Sequence, residues 1–592
     1  MDETMDWQLA SGTLLTRWAK DVRPENAWQE YPRPQMSRHE WQNLNGIWDY
    51  WITERKDTSK WKQRGKILVP FPIESALSGV MRPLEADELL WYQRAFVIPK
   101  EWDGKRILLH CEAVDWETTV AVNDRQVGTH TGGYLPFSFD ITQYIVGGGA
   151  PNQLELSVWD PTDTYWQQRG KQVRNPKGIW YSAISGIWQT IWLEAVPETF
   201  IAGLKITPDI DAHIVRVKAD LVGPQSQSIA INVDVYDQNA CIADGQAEEG
   251  VAEVTIQLPD PKLWSPDSPH LYDLVVTAGE DWVGSYFAMR KFNLEDGRLC
   301  LNGSPYFQLG PLDQGYWPDG LYTPPSDEAM RGDLEILKGL GFNMLRKHVK
   351  VEPRRYYYYC DQLGLIVWQD MTNGGRAVGE ATSILTMMFG SRRRDHNYRY
   401  AGRQDVASRQ DFKRELHELV DHLHNYPCIG VWVPFNEGWG QFDANQIANW
   451  LKEYDPTRLV DHASGWFDQK GGDCKSIHMY KLNLPVTKPE ACRAVVLSEF
   501  GGYSLKVAGH QWNPQAEFGY KKFDTSQELT DAYVDLLQTQ LKPWMDAGLS
   551  AAIYTQTTDV ESEVNGFVTY DRQVEKMDFS RIRQVHQELL RA

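Results

Sequence analysis

The apolar positions of the chain change rhythm twice. From Trp41 they alternate with polar ones in short runs, as in Leu44-Asn45-Gly46-Ile47-Trp48-Asp49-Tyr50, Leu90-Trp91-Tyr92-Gln93-Arg94-Ala95-Phe96-Val97 and Leu154-Glu155-Leu156-Ser157-Val158-Trp159. A period of two, bounded by turn residues and without a helical stretch, predicts a β-sandwich. It closes near Ile187–Leu193, and the proline- and tryptophan-rich residues before about 35 are expected to drape over other domains. From about Phe200 to Phe292 a second alternating set follows, including Ile229–Val235 and Leu271–Val276. Its size and spacing fit an immunoglobulin-like sandwich.

After Asn302-Gly303 the pattern becomes strand then helix, repeatedly. Strands are expected at Tyr306–Leu309, Phe342–Arg346, Leu365–Trp368, from Val431, at Arg458–Asp461, Ser476–Met479, up to Glu499, and at Ser550–Tyr554. Helices are expected from Ser326 (an N-cap) to Leu340, after Pro353, over 411–425, 528–545 and 580–590. Eight alternations over nearly 300 residues predict a (β/α)8 TIM barrel. The expected domains are therefore 1–198, 199–293 and 294–592, with an arginine-rich insertion over 376–410.

Two barrel strands end alike. Val431-Trp432-Val433-Pro434-Phe435 runs into Asn436-Glu437-Gly438-Trp439-Gly440, and Ala494-Val495-Val496-Leu497 runs into Ser498-Glu499-Phe500-Gly501-Gly502. Glutamates at the C-terminal ends of two buried strands point to a barrel active site. A pair of carboxylates facing one pocket points to glycoside hydrolysis. The alternative, two ion-paired surface glutamates, fits poorly with strand ends followed by glycines.

Composition adds little to this until charge is considered. The 25 tryptophans and 27 tyrosines suit the flat faces of sugars, or the filling of β-domain cores. A net charge of −20 disfavours nucleic acid and anionic membranes as partners. The seven cysteines form no CxxC or Cys/His cluster, so no disulfide framework or zinc site is indicated, and Cys360, Cys428 and Cys492 read as small buried residues. The acidic first residues carry no signal-like pattern and no run approaches a transmembrane span, which suggests a cytoplasmic protein. A homo-oligomer is compatible with all of this.

Taken in order, these pieces resemble glycoside hydrolase family 2, which holds β-galactosidases, β-glucuronidases and related exo-enzymes. The resemblance rests on Asn436-Glu437 and Ser498-Glu499-Phe500-Gly501 in the barrel, with Lys338–Asn343 and Cys360–Leu365. In the first domain it rests on Trp91–Arg94, Asn123–Gly128 and Ser185–Trp188. It implies a jelly-roll first domain and a retaining mechanism, with Glu437 as acid/base and Glu499 as nucleophile. It further implies Asn436 on the sugar 2-hydroxyl, Tyr480 against the nucleophile, His348 near the sugar ring, an acidic residue at Asp370, and Asp115 reaching the barrel mouth. Trp439 and Trp466 are platform candidates. Many relatives carry a tryptophan after strand eight. This chain has Tyr554 and Gln556 there, so Gln556 becomes a substrate contact and the platform is expected to differ.

No cofactor is implied. Some β-galactosidases of the family use Mg²⁺ and Na⁺, but no ligand set can be placed in this sequence, although His348, His462 and His478 leave a metal-dependent hydrolase open by counting. The β-glucuronidases of the family read the sugar carboxylate with Asn-x-Lys after the nucleophile. None occurs between Glu499 and the C-terminus, whereas Asn175-Pro176-Lys177 lies in the first domain. Lys506, Lys521, Lys522 and Arg392–Arg394 are the other candidate cations. The expectation is an exo-hydrolase of a neutral, galactose-like terminal sugar. A β-glucuronidase, an α-L-arabinosidase-type enzyme and a non-catalytic carbohydrate-binding protein are the alternatives.

Overall fold

The computed structural model describes residues 7–378, 394–480 and 490–591. The alternating runs of the first domain form two antiparallel sheets. One has six strands, in the spatial order Asp57–Val69, Gly46–Glu54, Glu88–Val97, Pro151–Trp159, Glu117–Val122 and Arg125–Thr131. The other has four: Trp41–Asn43, Ile191–Val196, Arg106–Cys111 and Phe137–Asp140. Residues such as Trp48, Tyr92, Leu109, Val120 and Leu156 meet in one apolar core between them, as inward-pointing positions of period two require. The second domain repeats this on a smaller scale. Its three-stranded sheet (Phe200–Asp209, Ile214–Val222, Glu253–Gln257) packs on a four-stranded one (Ala240–Ala247, Ile231–Asp237, Tyr272–Ala278, Asp281–Phe287).

The third domain is a barrel of eight strands: β1 (Gln308–Asp313), β2 (Met344–Lys347), β3 (Ile366–Asp370), β4 (Ile429–Val433), β5 (Leu459–Val460), β6 (Cys474–Met479), β7 (Ala494–Gly501) and β8 (Ala551–Thr555). Neighbours pair in parallel all round. The β5–β6 seam is the exception: there Asp473 bridges, its amide donating to the Val460 carbonyl at 2.7 Å and its carboxylate accepting from the Val460 amide at 2.9 Å. Every residue of β4 is buried, as expected for a strand covered by side chains inside and helices outside.

Several boundaries differ from the sequence-based reading. β1 starts at Gln308 and runs on through Gly310 and Pro311, which look like breakers in isolation. Gly310 belongs there because a Cβ would stand 1.9 Å from the Met344 carbonyl oxygen of β2. The helix expected over 411–425 begins at Val406, inside the arginine-rich stretch. The helix expected over 528–545 is interrupted by a π-helical turn at Leu536–Leu541. Ser326 does cap its helix, accepting from the Ala329 amide. Cys360 and Cys428 are buried, but Cys492 is exposed, because it precedes β7 instead of lying in it. No helix among the described residues is long and apolar enough to cross a membrane.

The first domain is bound to the barrel in two places. The N-terminal stretch crosses both: the Trp7 indole donates to the Leu77 carbonyl, Thr16 to the Asp319 carboxylate and the Trp28 indole to the Pro324 carbonyl. The second is an irregular strap over 166–184, held to itself by the pairing of Gln172–Val173 with Tyr181–Ser182. Its Arg169 and Gly170 amides donate to the Asn373 carbonyl beyond β3, and its Ser182 amide donates to Glu561 beyond β8. The strap therefore lies over the C-terminal mouth of the barrel.

Candidate active site

Two local features aim the glutamates into one pocket. Beyond β4, Glu437 takes a left-handed backbone (φ 48°), held by its amide donating to the Ser464 carbonyl at 2.9 Å. That conformation is uncommon for a side-chain-bearing residue and needs such support. Gly438 follows because a Cβ there would stand 2.0 Å from the Phe467 ring. On β7 the register with β6 slips by one residue: Ile477 faces Leu497, but His478 faces Glu499. The skipped residue, Ser498, turns the Glu499 side chain towards His478. The nearest oxygens of Glu437 and Glu499 and a His478 ring nitrogen all lie within 4.8 Å of one another.

The surroundings of the two carboxylates differ. Glu499 accepts from the Tyr480 hydroxyl and, at 3.2 Å, from Arg346 Nη1. Burial alone would raise its pKa, but His478, Arg346 and His348, with the Tyr480 hydrogen bond, hold it down at about 2. Arg346 is the permanent charge among these, while burial lowers the His348 pKa well below its ordinary value. Burial and Glu499 push the Tyr480 phenol well up, so it remains a donor. Glu437 instead meets a ring: its Oε1 is 2.9 Å from His478 Nδ1, and the other ring nitrogen is 3.0 Å from Ser464 Oγ.

Arg346, at the end of β2, ties the site together. Its Nε and Nη2 grip Asp370 at 2.9 and 3.0 Å, and Nη2 also donates to Asn436 Oδ1 at 2.8 Å. Asp370 in turn holds His348 Nδ1 at 2.8 Å. With its oxygen taken by Arg346, Asn436 presents Nδ2, which has no hydrogen-bond partner among the described residues. The strap closes the pocket from the first-domain side. Trp180 packs against Trp439 (centroids 5.0 Å apart), and Trp439 is 6.3 Å from the His348 ring.

Models of three parts of one family match the chain: the sugar-binding domain of glycosyl hydrolases family 2 over 58–197, a further family 2 domain over 199–290, and the family 2 TIM barrel domain over 324–585. The chain belongs to glycoside hydrolase family 2. It is 26% identical over 389 residues to a β-galactosidase of Thermoanaerobacter pseudethanolicus, covering 62% of this chain and 48% of that one. To a β-galactosidase of Priestia megaterium it is 22% identical over 546 residues, 88% of this chain and 49% of that one. The chain thus spans about half the length of these curated relatives. In fold it is similar to a β-D-glucuronidase of Dictyoglomus thermophilum (TM-score 0.71, 17% identity, 94% of this chain and 98% of that one). It is similar also to a family 2 β-galacturonidase from Eisenbergiella tayi (TM-score 0.69, 17% identity, 94% and 98%).

Against the family's pattern, the structure brings together Asn436, Glu437, Glu499, Tyr480, His348 and Asp370, with Trp439 beside them. Two expected contacts engage other groups. Asp115 is buried in the first domain, where Gln172 donates to it at 3.1 Å; it sits beneath the strap, and the strap covers the mouth. The Gln556 amide is used up by Gln314 and Asn565, at 2.7 and 2.9 Å. Arg346, His478 and Trp180 escaped the sequence reading as pocket residues, as did Lys171, whose Nζ lies 5.9 Å from the Trp439 ring. For Arg346 a signal existed: an arginine inside the buried run Met344–Lys347 needs an anionic partner. Glu437, His478 and Glu499 are the sole converging group of metal-type donors among the described residues. They do not fit an ion of their own, because Arg346 already supplies the cation at Glu499, and His462 faces away, accepting from the Gln469 amide. Of the arginine cluster, Arg392 and Arg393 lie outside the described residues, and Arg394 is exposed.

Proposed function

We propose that this protein is a retaining exo-glycoside hydrolase that removes a terminal sugar by double displacement. The observation carrying this reading is the approach of two carboxylates in unlike surroundings. Their separation within 4.8 Å fits the roughly 5–5.5 Å of retaining enzymes better than the roughly 6.5–9.5 Å that leaves room for a water. Glu499, ionised and fixed by Arg346 and Tyr480, attacks C1. Glu437 gives its proton to the departing oxygen as the C1–O bond breaks. In the second step the Glu437 carboxylate takes a proton from water, the water oxygen bonds to C1, and Glu499 leaves. The free Asn436 Nδ2–H suits the sugar 2-hydroxyl. The strap across the mouth favours a chain end over an internal site.

The identity of the sugar has two readings. A neutral, galactose-like sugar is supported by the lack of Asn-x-Lys after Glu499 and by the relatives named β-galactosidase. Lys521 and Lys522 are exposed, and Lys506 donates to the Pro514 carbonyl, so none of these offers a pocket cation. An acidic sugar is favoured by one observation, a buried lysine of the strap taken up below.

Proton NMR on a panel of 4-nitrophenyl glycosides tests the reaction. The first anomer released should keep the substrate's configuration. An inverted first product would overturn the mechanism. No turnover on any glycoside, together with no labelling of Glu499 by 2-deoxy-2-fluoro glycosides, would favour the non-catalytic carbohydrate-binding alternative.

A further inference from the structure

Four lysines are buried among the described residues: Lys171, Lys347, Lys350 and Lys576. Three are fully engaged. Lys347 binds Asp313 and Glu352, each at 2.7 Å. Lys350 binds Glu352 and two carbonyls, and Lys576 binds Asp559 and the Val564 carbonyl. Burying an ammonium is costly, and such pairing is what ordinarily offsets the cost. Lys171 is the odd one. Its Nζ lies 5.2 Å from the Tyr181 ring and 5.9 Å from the Trp439 ring, with no hydrogen bond or ion pair among the described residues. Its backbone has no freedom to swing out, because its carbonyl accepts from the Tyr181 amide at 3.0 Å inside the strap.

The groups around Lys171 agree with where its two rings place it. They are the carboxylates of Glu563, Glu499 and Glu437, with Arg346 opposing, and Lys171 itself acts on His348. With the Trp439 ring 5.9 Å from its Nζ and that ring 6.3 Å from His348, Lys171 stands over the sugar subsite. Each of those carboxylates already has nearer partners: Tyr181 and Asn565 for Glu563, Tyr480 and Arg346 for Glu499, and His478 for Glu437. Three N–H donors and a positive charge are left facing the pocket. Burial lowers the Lys171 pKa, and an incoming anion would favour the charged form again.

We propose that Lys171 is the anion reader of the sugar subsite, its ammonium binding the C5 carboxylate of a terminal uronic acid held between the Tyr181 and Trp439 rings. This rests on the hydrolase reading above and selects the acidic sugar. A carboxylate can accept two of the three N–H groups and match the charge, whereas the hydroxymethyl of a neutral hexose offers one acceptor and no charge. The cation comes from the first domain, so the family's motif position after the nucleophile does not report it. Lys177, the lysine of Asn175-Pro176-Lys177, is exposed.

The test compares kcat/KM on 4-nitrophenyl β-glucuronide and β-galacturonide with that on the matching β-glucoside and β-galactoside, for the wild type, Lys171→Met and Lys171→Arg. The wild type should prefer a uronide. Lys171→Met should lower the uronide-to-neutral ratio by 100-fold or more, and Lys171→Arg should recover part of it. Thermal melts of each variant separate misfolding from lost recognition. A wild type preferring the neutral sugar, or a ratio unmoved by Lys171→Met, overturns the proposal. If no glycoside is turned over, the hydrolase reading fails by itself. Calorimetric titration with glucuronate and galacturonate against glucose and galactose then decides: uronate-selective binding lost in Lys171→Met supports the role of Lys171, and its absence in the wild type overturns it.

Discussion

His478 stands between the two glutamates, its Nδ1 2.9 Å from Glu437 Oε1 and its Nε2 3.6 Å from Glu499 Oε1. With the proton on Nε2 the ring accepts from a protonated Glu437 and donates to Ser464 Oγ, 3.0 Å away; with the proton on Nδ1 it donates to the Glu437 carboxylate and accepts from the Ser464 hydroxyl. His478→Gln should lower kcat/KM on glycosides with poor leaving groups by about 10- to 100-fold, part of the roughly 10²–10⁴-fold that general acid–base catalysis contributes. Unchanged kcat/KM on those glycosides would make His478 a packing residue only.

The glutamates should fail in different ways. Glu499→Ala should abolish turnover, with azide or formate restoring it and giving product of inverted configuration. Glu437→Ala should spare 4-nitrophenyl glycosides far more than alkyl glycosides, because only the poorer leaving group needs a proton. Leaving-group series on both variants check this, and near-normal activity on alkyl glycosides in either would remove that residue from the mechanism.

Arg346→Met should harm both stability and the acid side of the pH profile. It leaves Asp370 buried without its bidentate partner, which costs about 3–5 kcal/mol for a broken buried pair, readable in urea unfolding. It also removes the permanent charge that helps hold Glu499 at about 2. The Glu499 pKa then rises, so the acid limb of kcat/KM should shift to higher pH. An unmoved acid limb would show that Arg346 does not tune the nucleophile.

Acid should loosen the junction between the first two domains. Glu194 is buried; burial by itself would raise its pKa, but Arg33, His110 and Arg38 outweigh this and hold it well below the usual carboxylate range. With the folded value depressed, its contribution is complete above the unfolded value of about 4.3. It fades as pH falls towards the folded value. Melting temperature should therefore drop steeply below about pH 4.5. Glu194→Gln should flatten that slope while lowering stability at neutral pH by about 3–5 kcal/mol. Parallel slopes in the two proteins would place the acid sensitivity elsewhere.

Much of this site was readable before any fold was known, for a local reason. β4 and β7 are continuous apolar runs ending in Asn-Glu-Gly and Ser-Glu-Phe-Gly, so strand, strand end and carboxylate all lie within ten residues. Ser326 announced its helix in the same way, since a cap and the amide it accepts from are three residues apart. Even the turn at Glu437 left a trace, in the glycine that the Phe467 ring demands.

What the sequence by itself determined is the order of the three domains, the strand–helix rhythm of the barrel and the two glutamates. All of these are patterns with short periods. The rest was decided by tertiary structure, because it depends on groups far apart in the chain meeting in space. Arg346 joins Asp370, Asn436 and Glu499 across 153 residues, and the one-residue slip between β6 and β7 sets His478 opposite Glu499. The strap of the first domain carries Lys171 to a mouth built by residues hundreds of positions later. The neutral-sugar expectation searched for a cation near the nucleophile in sequence. Electrostatics acts through distance in space, so that search could not weigh Lys171, which lies more than 300 residues before Glu499 and on which the proposed acidic-sugar reading rests.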